Sequence, residues 1–283
     1  MSSMGRRHNT GRTNLKDTLR RVSMIGIACS MLVACGGDST EPSANQVSAP
    51  GTAATTADSS DDDQSPTESS DVANSTTPPA SVDEQADQAA AQDALLQLSD
   101  FGPGWSEVPS SDDGDQDEMK RNVAECSGSD LDTGVDFGGA IAKTGDVTSP
   151  DGEQVVQATV SFAPSIAVAS ERFATIAAPE FPLCIQPIYE QFVGDLIDGT
   201  GAELDGVTIG KLNVTPVGDS TVAYRITVTA SDSGLTQELY ADIIVIQAGR
   251  ILASLTFQSR NSPFSIADAE MYVALAAGRL PAT

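Results

Sequence analysis

Residues 221–258 read TVAYRITVTASDSGLTQELYADIIVIQAGRILASLTFQ, and this stretch decides the fold. In 221–230, Val222, Tyr224, Ile226 and Val228 share one side of a strand, while Thr221, Arg225 and Thr227 take the other. Asp232-Ser233-Gly234 supplies turn residues, and a second strand is expected over 236–246. Ala248-Gly249-Arg250 is the next turn, leading into 251–258, where Ile251, Ala253, Leu255 and Phe257 alternate. Turns this short force consecutive strands to pair antiparallel. The segment is therefore a meander.

Working outward, a further strand is expected over 207–215, ending at Pro216 and the Gly218-Asp219 turn, after a Gly/Asp loop at 198–206. Upstream, Val156, Ala158, Val160 and Phe162 alternate in a strand over 154–163. Ser165 then opens a helix to about Ile176, and a second helix is expected over 186–197. Ser265 with Asp268 starts a final helix that runs to about Arg279. At the other end, Ser81-Val82-Asp83-Glu84 has capping-box spacing, and an Ala/Gln/Leu helix follows to about Leu98. The apolar face of the sheet needs a cover, and the helices supply it. The expected fold class is α+β, an antiparallel meander sheet packed on helices, within a single domain over 81–283.

The chain before residue 81 has a different character. Residues 36 to about 80 are mainly Ser, Thr, Ala, Asp, Pro and Gly, with no aromatic residue. Such a composition buries too little apolar area to offset backbone entropy, so 35–80 is expected to be a disordered tether. As a flexible coil it would separate its ends by roughly 35–40 Å. The run Asp61-Asp62-Asp63 belongs to this solvated stretch and is not expected to bind a metal. Earlier still, residues 1–34 carry six basic side chains and one acid, followed by the 13-residue apolar run Val22–Ala34. A membrane-crossing helix needs about 20 apolar residues. The short run fits an export signal over 1–34.

Leu32-Val33-Ala34-Cys35 resembles the bacterial lipobox. The resemblance implies cleavage before Cys35, diacylglycerol on its sulfur and attachment to the outward face of the cell membrane. Ordinary cleavage nearby and an uncleaved anchor are the alternatives. Residues 35–283 then hold nine basic and 39 acidic residues, a formal charge of −30. Such a chain repels nucleic acid, whose binding needs Lys and Arg. The only histidine, His8, lies in the expected signal, so the mature chain holds none. Ser-His-Asp and Cys-His catalysis are thereby excluded, and no catalytic residue, metal ligand or cofactor is assigned.

Other motifs are weaker. Asp132-Thr133-Gly134 and Asp232-Ser233-Gly234 imitate aspartic-protease turns but lack the apolar flanks, and Gly218-Asp219-Ser220 lacks an esterase's histidine. Asp112, Asp113, Asp115, Asp117 and Glu118 form an acidic loop that begins like a calcium loop, yet the expected Gly is Glu118 and the expected terminal Glu is Ala124. It reads as a solvated loop.

Cys126 and Cys184 are an even pair after lipidation of Cys35, and in an oxidising envelope they read as a disulfide. Two separate buried thiols are the alternative. The segment Leu95-Leu96-Gln97-Leu98-Ser99-Asp100-Phe101-Gly102-Pro103-Gly104-Trp105 resembles the L…D-L-P-x-G-W opening of actinobacterial secreted lipoproteins, matched here at Asp100, Gly104 and Trp105. In that family a cysteine follows about twenty residues on, and an Ala-rich helix leads to a second. The layout is also similar to the extracellular sensor domains of actinobacterial Ser/Thr kinases. Phe101-Gly102 departs from the usual Leu-Pro, and one cysteine pair stands where kinase sensors commonly have two. The resemblance implies a sensing or binding role in the envelope, with an unidentified ligand or protein partner. A hydrolase using carboxylates alone and a structural envelope spacer are the alternatives. Trp105 is either a core plug or a ligand platform.

Overall fold

The computed structural model describes residues 83–109, 117–126 and 139–281. The expected signal peptide, Cys35, the tether, Ser81 and Asp132-Thr133-Gly134 lie outside the described residues, as do Asp112, Asp113 and Asp115.

The meander is present and longer than expected. Its strands are β5 (Glu203–Lys211), β6 (Ser220–Asp232), β7 (Leu235–Ala248) and β8 (Ile251–Arg260). The β6–β7 connection is a two-residue turn at Ser233 and Gly234, with φ of 52° and 82°. Two consecutive positive-φ residues make the turn whose twist suits a hairpin, and Asp232-Ser233-Gly234 is the turn expected between these strands. β5 starts four residues before its expected position and stops at Lys211, because the pairing continues through a bulge between Leu204 and Gly206.

Strand β4 (Gln154–Phe162) pairs along its whole length with β8. Three short strands had no clear period-two pattern to announce them: β1 (Ser106–Val108), β2 (Ile141–Lys143) and β3 (Asp146–Thr148). The sheet order is β1-β3-β4-β8-β7-β6-β5, with β2 also on β4, and every pairing is antiparallel.

The first helix, α1 (Glu84–Ala94), is capped by Asp83, whose carboxylate accepts from the Ala86 N–H at 3.1 Å. It ends at Ala94 because Leu95 is already extended, and a 3₁₀ turn at Leu98–Asp100 follows. Helix α2 (Asp117–Cys126) corrects the acidic-loop reading: Asp117 and Glu118 open a helix. Helices α3 (Ile166–Ala177) and α5 (Ile266–Arg279) take the expected caps, Ser165 accepting from the Val168 N–H and Ser265 from the Asp268 N–H. Helix α4 (Phe181–Ile197) begins five residues earlier than the pattern suggested. Pro182 sits in its first turn, where a missing N–H costs nothing. Its deepest row is Phe181, Ile185, Tyr189, Val193 and Ile197 at four-residue spacing. Ile188, Phe192 and Leu196 flank that row and are partly buried.

The helices cover both faces of the sheet, not one. On one side, Tyr224, Ile226, Ile243, Val245 and Leu252 pack with side chains of α2, α3 and α4. On the other, Ala223, Ile244, Ile246, Ala253, Leu255 and Phe257 pack with α1 and α5. The continuous apolar run Ile243-Ile244-Val245-Ile246, all at most 1% exposed, is the sequence mark of a strand buried on both faces. One disulfide, Cys126–Cys184, joins α2 to α4 with a Cα–Cα distance of 5.8 Å.

A candidate ligand cleft beside helix α1

The site begins with a turn. Between β7 and β8, Gly249 takes a φ of 56° and its N–H donates to the Asp219 carboxylate at 2.6 Å. This fixes the tip of the hairpin and sends Arg250 sideways toward α1. The Arg250 carbonyl accepts from the Ala163 N–H at 2.8 Å, so the turn is tied to the end of β4 as well.

The Arg250 guanidinium lies 4.9 Å from the centre of the Phe162 ring. It grips the Asp87 carboxylate end-on: Nη1 donates to Oδ2 at 2.7 Å and Nη2 to Oδ1. Nη1 also donates to the Ala163 carbonyl at 3.4 Å. Asp87 is on the inward face of α1, in register with Ala91 and Ala94, and its side chain is 7% exposed against 30% for Arg250. The pair is a cross-link between residues 163 positions apart. It holds the N-terminal half of α1 onto the β7–β8 hairpin.

Beside it is a cleft of about 440 Å³. Ala86, Asp87 and Ala90 of α1 line one side; Phe162, Arg250 and Ile251 form the sheet side; Ile166 of α3 and Pro281 complete it. Its volume is within the range of small-molecule sites, roughly 300–1,000 Å³, and its lining is mainly apolar with one charged pair. Ile166 is 59% exposed although apolar, as the rim of an open cleft requires. A second cavity at Tyr189, Val228, Leu239 and Gln258 holds about 20 Å³, which is room for a single water.

The sequence-derived residues fall elsewhere. Asp100 receives two hydrogen bonds from Arg279, each 2.6 Å, which hold its carboxyl below its ordinary pKa. Arg279 also donates to the Leu95 carbonyl at 2.8 Å. Phe101 stacks on Tyr272 at 4.7 Å and lies 5.1 Å from Trp105, which is half-buried against the α1/α5 core. Gly104 has a φ of 89°, and a Cβ there would stand 2.8 Å from the Pro150 ring. Asp100 and Phe101 thus clasp the α1–β1 connection to α5, while Gly104 lets it pass close to Pro150 in the β3–β4 connection. Their link to the cleft is indirect, because Arg279 lies two residues before Pro281 on its wall.

Sequence reasoning missed Asp87 and Arg250. Arg250 reads as a turn residue, Asp87 as one acid within the first expected helix, and no local pattern joins them. Asp242, fully buried and gripped by Arg225 through Nε and Nη2 at 2.6 Å each, was equally hidden. Among the described residues no group of three or more His, Cys, Asp or Glu side chains could hold a metal ion. Asp146 is buried, and burial pushes its carboxyl pKa up, opposed by a 2.5 Å hydrogen bond from Gln157. Among the described residues no helix is long and apolar enough to cross a membrane.

No family model and no curated protein matches the sequence. Two solved structures from Mycobacterium tuberculosis are similar in fold. The extracellular domain of PknH is 13% identical with a TM-score of 0.33, over 70% of this chain and 95% of that one. LpqN, described as involved in cell envelope biogenesis, is 12% identical with a TM-score of 0.23, over 64% of this chain and 76% of that one. Likeness at this level carries no argument about function.

Proposed function

We propose that the chain is a cell-envelope lipoprotein, anchored in the outward face of the membrane through Cys35, whose α+β domain is a non-enzymatic binding module. The observation that carries the binding role is the apolar cleft beside α1, whose one carboxylate among the described residues, Asp87, is committed to Arg250. A carboxylate locked end-on to a guanidinium is a poor general base. Asp100 and Asp242 are held by arginines in the same manner. The arrangement favours holding a molecule over transforming one.

Two measurements test the reading. Growth with a radiolabelled lipid precursor is expected to label the wild type and not Cys35→Ala; equal labelling of both contradicts the anchor. Native mass spectrometry of the full chain, extracted from its own membranes, is expected to show a retained apolar compound. In Ala90→Phe, where the new ring projects into the cleft, that adduct is expected to be lost. An adduct that survives Ala90→Phe places the binding elsewhere.

A further inference from the structure

The free edge of Arg250 carries information about the ligand. A guanidinium has five N–H donors. Three are used here: Nη1 donates to Asp87 and to the Ala163 carbonyl, and Nη2 donates once to Asp87. The two that remain are on Nε and Nη2, among the described residues. They are the parallel pair with which Arg225 grips Asp242 from the side. That fork matches the geometry of a carboxylate, two parallel N–H···O bonds at once.

We propose that the cleft takes a single-chain amphiphile with a carboxylate head. The head accepts from the free Nε–Nη2 edge of Arg250, and the chain lies along Phe162, Ile166 and Ile251. This deepens the binding role above and rests on it. Arg250 lines the cleft and its side chain is 30% exposed, and the edge left without a partner among the described residues has the geometry that takes a second carboxylate. Asp87 already neutralises one charge, so a monoanionic head leaves one net negative charge in the cluster, where a dianionic head would leave two. The first residue of α3, Ile166, borders the cleft and no acid stands in that helix's first turn, so the positive end of the α3 dipole offsets part of that charge. A cationic head would meet the guanidinium instead of the carboxylate, which Arg250 already occupies.

The test is competition against N-phenyl-1-naphthylamine, a neutral apolar fluorophore, bound to the full-length protein. Dodecanoate and dodecanol, both below their aggregation limits, are the competitors. Dodecanoate is expected to displace the fluorophore at a concentration at least tenfold lower than dodecanol. Asp87→Asn removes the competing carboxylate and is expected to raise the preference for dodecanoate over dodecanol severalfold above that of the wild type. The double variant Asp87→Asn/Arg250→Met keeps the wall neutral and is expected to bind the two competitors equally. Equal displacement by both competitors in the wild type overturns the proposal, as does a dodecanoate preference that survives in the double variant. If the fluorophore binds and neither competitor displaces it, the head-group assignment fails and the cleft stands. If the fluorophore does not bind at all, the cleft reading fails with it.

Discussion

Replacing Arg225 by Met is expected to lower folding stability by about 3–5 kcal/mol, the usual cost of leaving one member of a buried ion pair without its partner. Asp242 is at 0% exposure in the middle of β7, flanked by β6 and β8. Its two oxygens are held by Nε and Nη2 of Arg225, which is itself 22% exposed and faces Tyr240 with its guanidinium 5.9 Å from the ring centre. Removing the arginine strands a charge that water cannot reach. Removing the carboxylate as well should recover most of the loss, because an apolar pair of similar volume avoids the desolvation cost altogether. Urea unfolding of Arg225→Met and of Arg225→Met/Asp242→Leu separates the two effects. A single variant within 1 kcal/mol of wild type would mean that the pair contributes little.

Breaking the disulfide is the second large effect. Cys126 and Cys184 are 58 residues apart, and closing a loop of that length restricts the unfolded chain by about 4 kcal/mol in the entropic account. The native side adds its own share. Met119 and Val123 of α2 are buried in the core that includes Phe181, Ile185 and Tyr189 of α4, and the bridge joins these two helices. Cys126→Ser is therefore expected to shift the denaturation midpoint strongly downward. Wild-type protein treated with a thiol reductant should fall onto the same curve and gain the mass of two hydrogens. A reductant that leaves the wild-type curve in place would contradict this contribution.

How much of the structure was legible depended on the range of the signal. Meander strands announce themselves by alternation and turn residues, both local, so Val222-to-Val228 and Ile251-to-Phe257 identified the sheet. Serine caps at Ser165 and Ser265 were equally local. The short strands β1, β2 and β3 carry three residues each, too few for a period to register, and they exist because β4 and one another offer partners. Prolines 182 and 187 hid the first turns of α4. The second covered face of the sheet was written in Ile243-Ile244-Val245-Ile246, but a run without alternation does not say on which side its partners lie. The cleft was not legible at all. Its defining contact joins Asp87 to Arg250 across most of the domain, and only the docking of α1 against the β7–β8 hairpin brings them together. The motif Asp100, Gly104 and Trp105 drew notice first, yet it does structural work: an ion pair from Asp100 to α5, a positive-φ glycine against Pro150, and Trp105 against the Phe101 ring, which itself stacks on Tyr272.

The central claim is that the space between α1, Phe162 and Ile166 is a binding site. Titration of the full-length protein with N-phenyl-1-naphthylamine, followed by fluorescence, tests it most directly. The expected result is a saturable rise in emission for the wild type and at least a tenfold weaker response for Ala90→Phe, with both proteins equally folded by circular dichroism. Equal, saturable binding by the two proteins, or none by the wild type, would contradict the account.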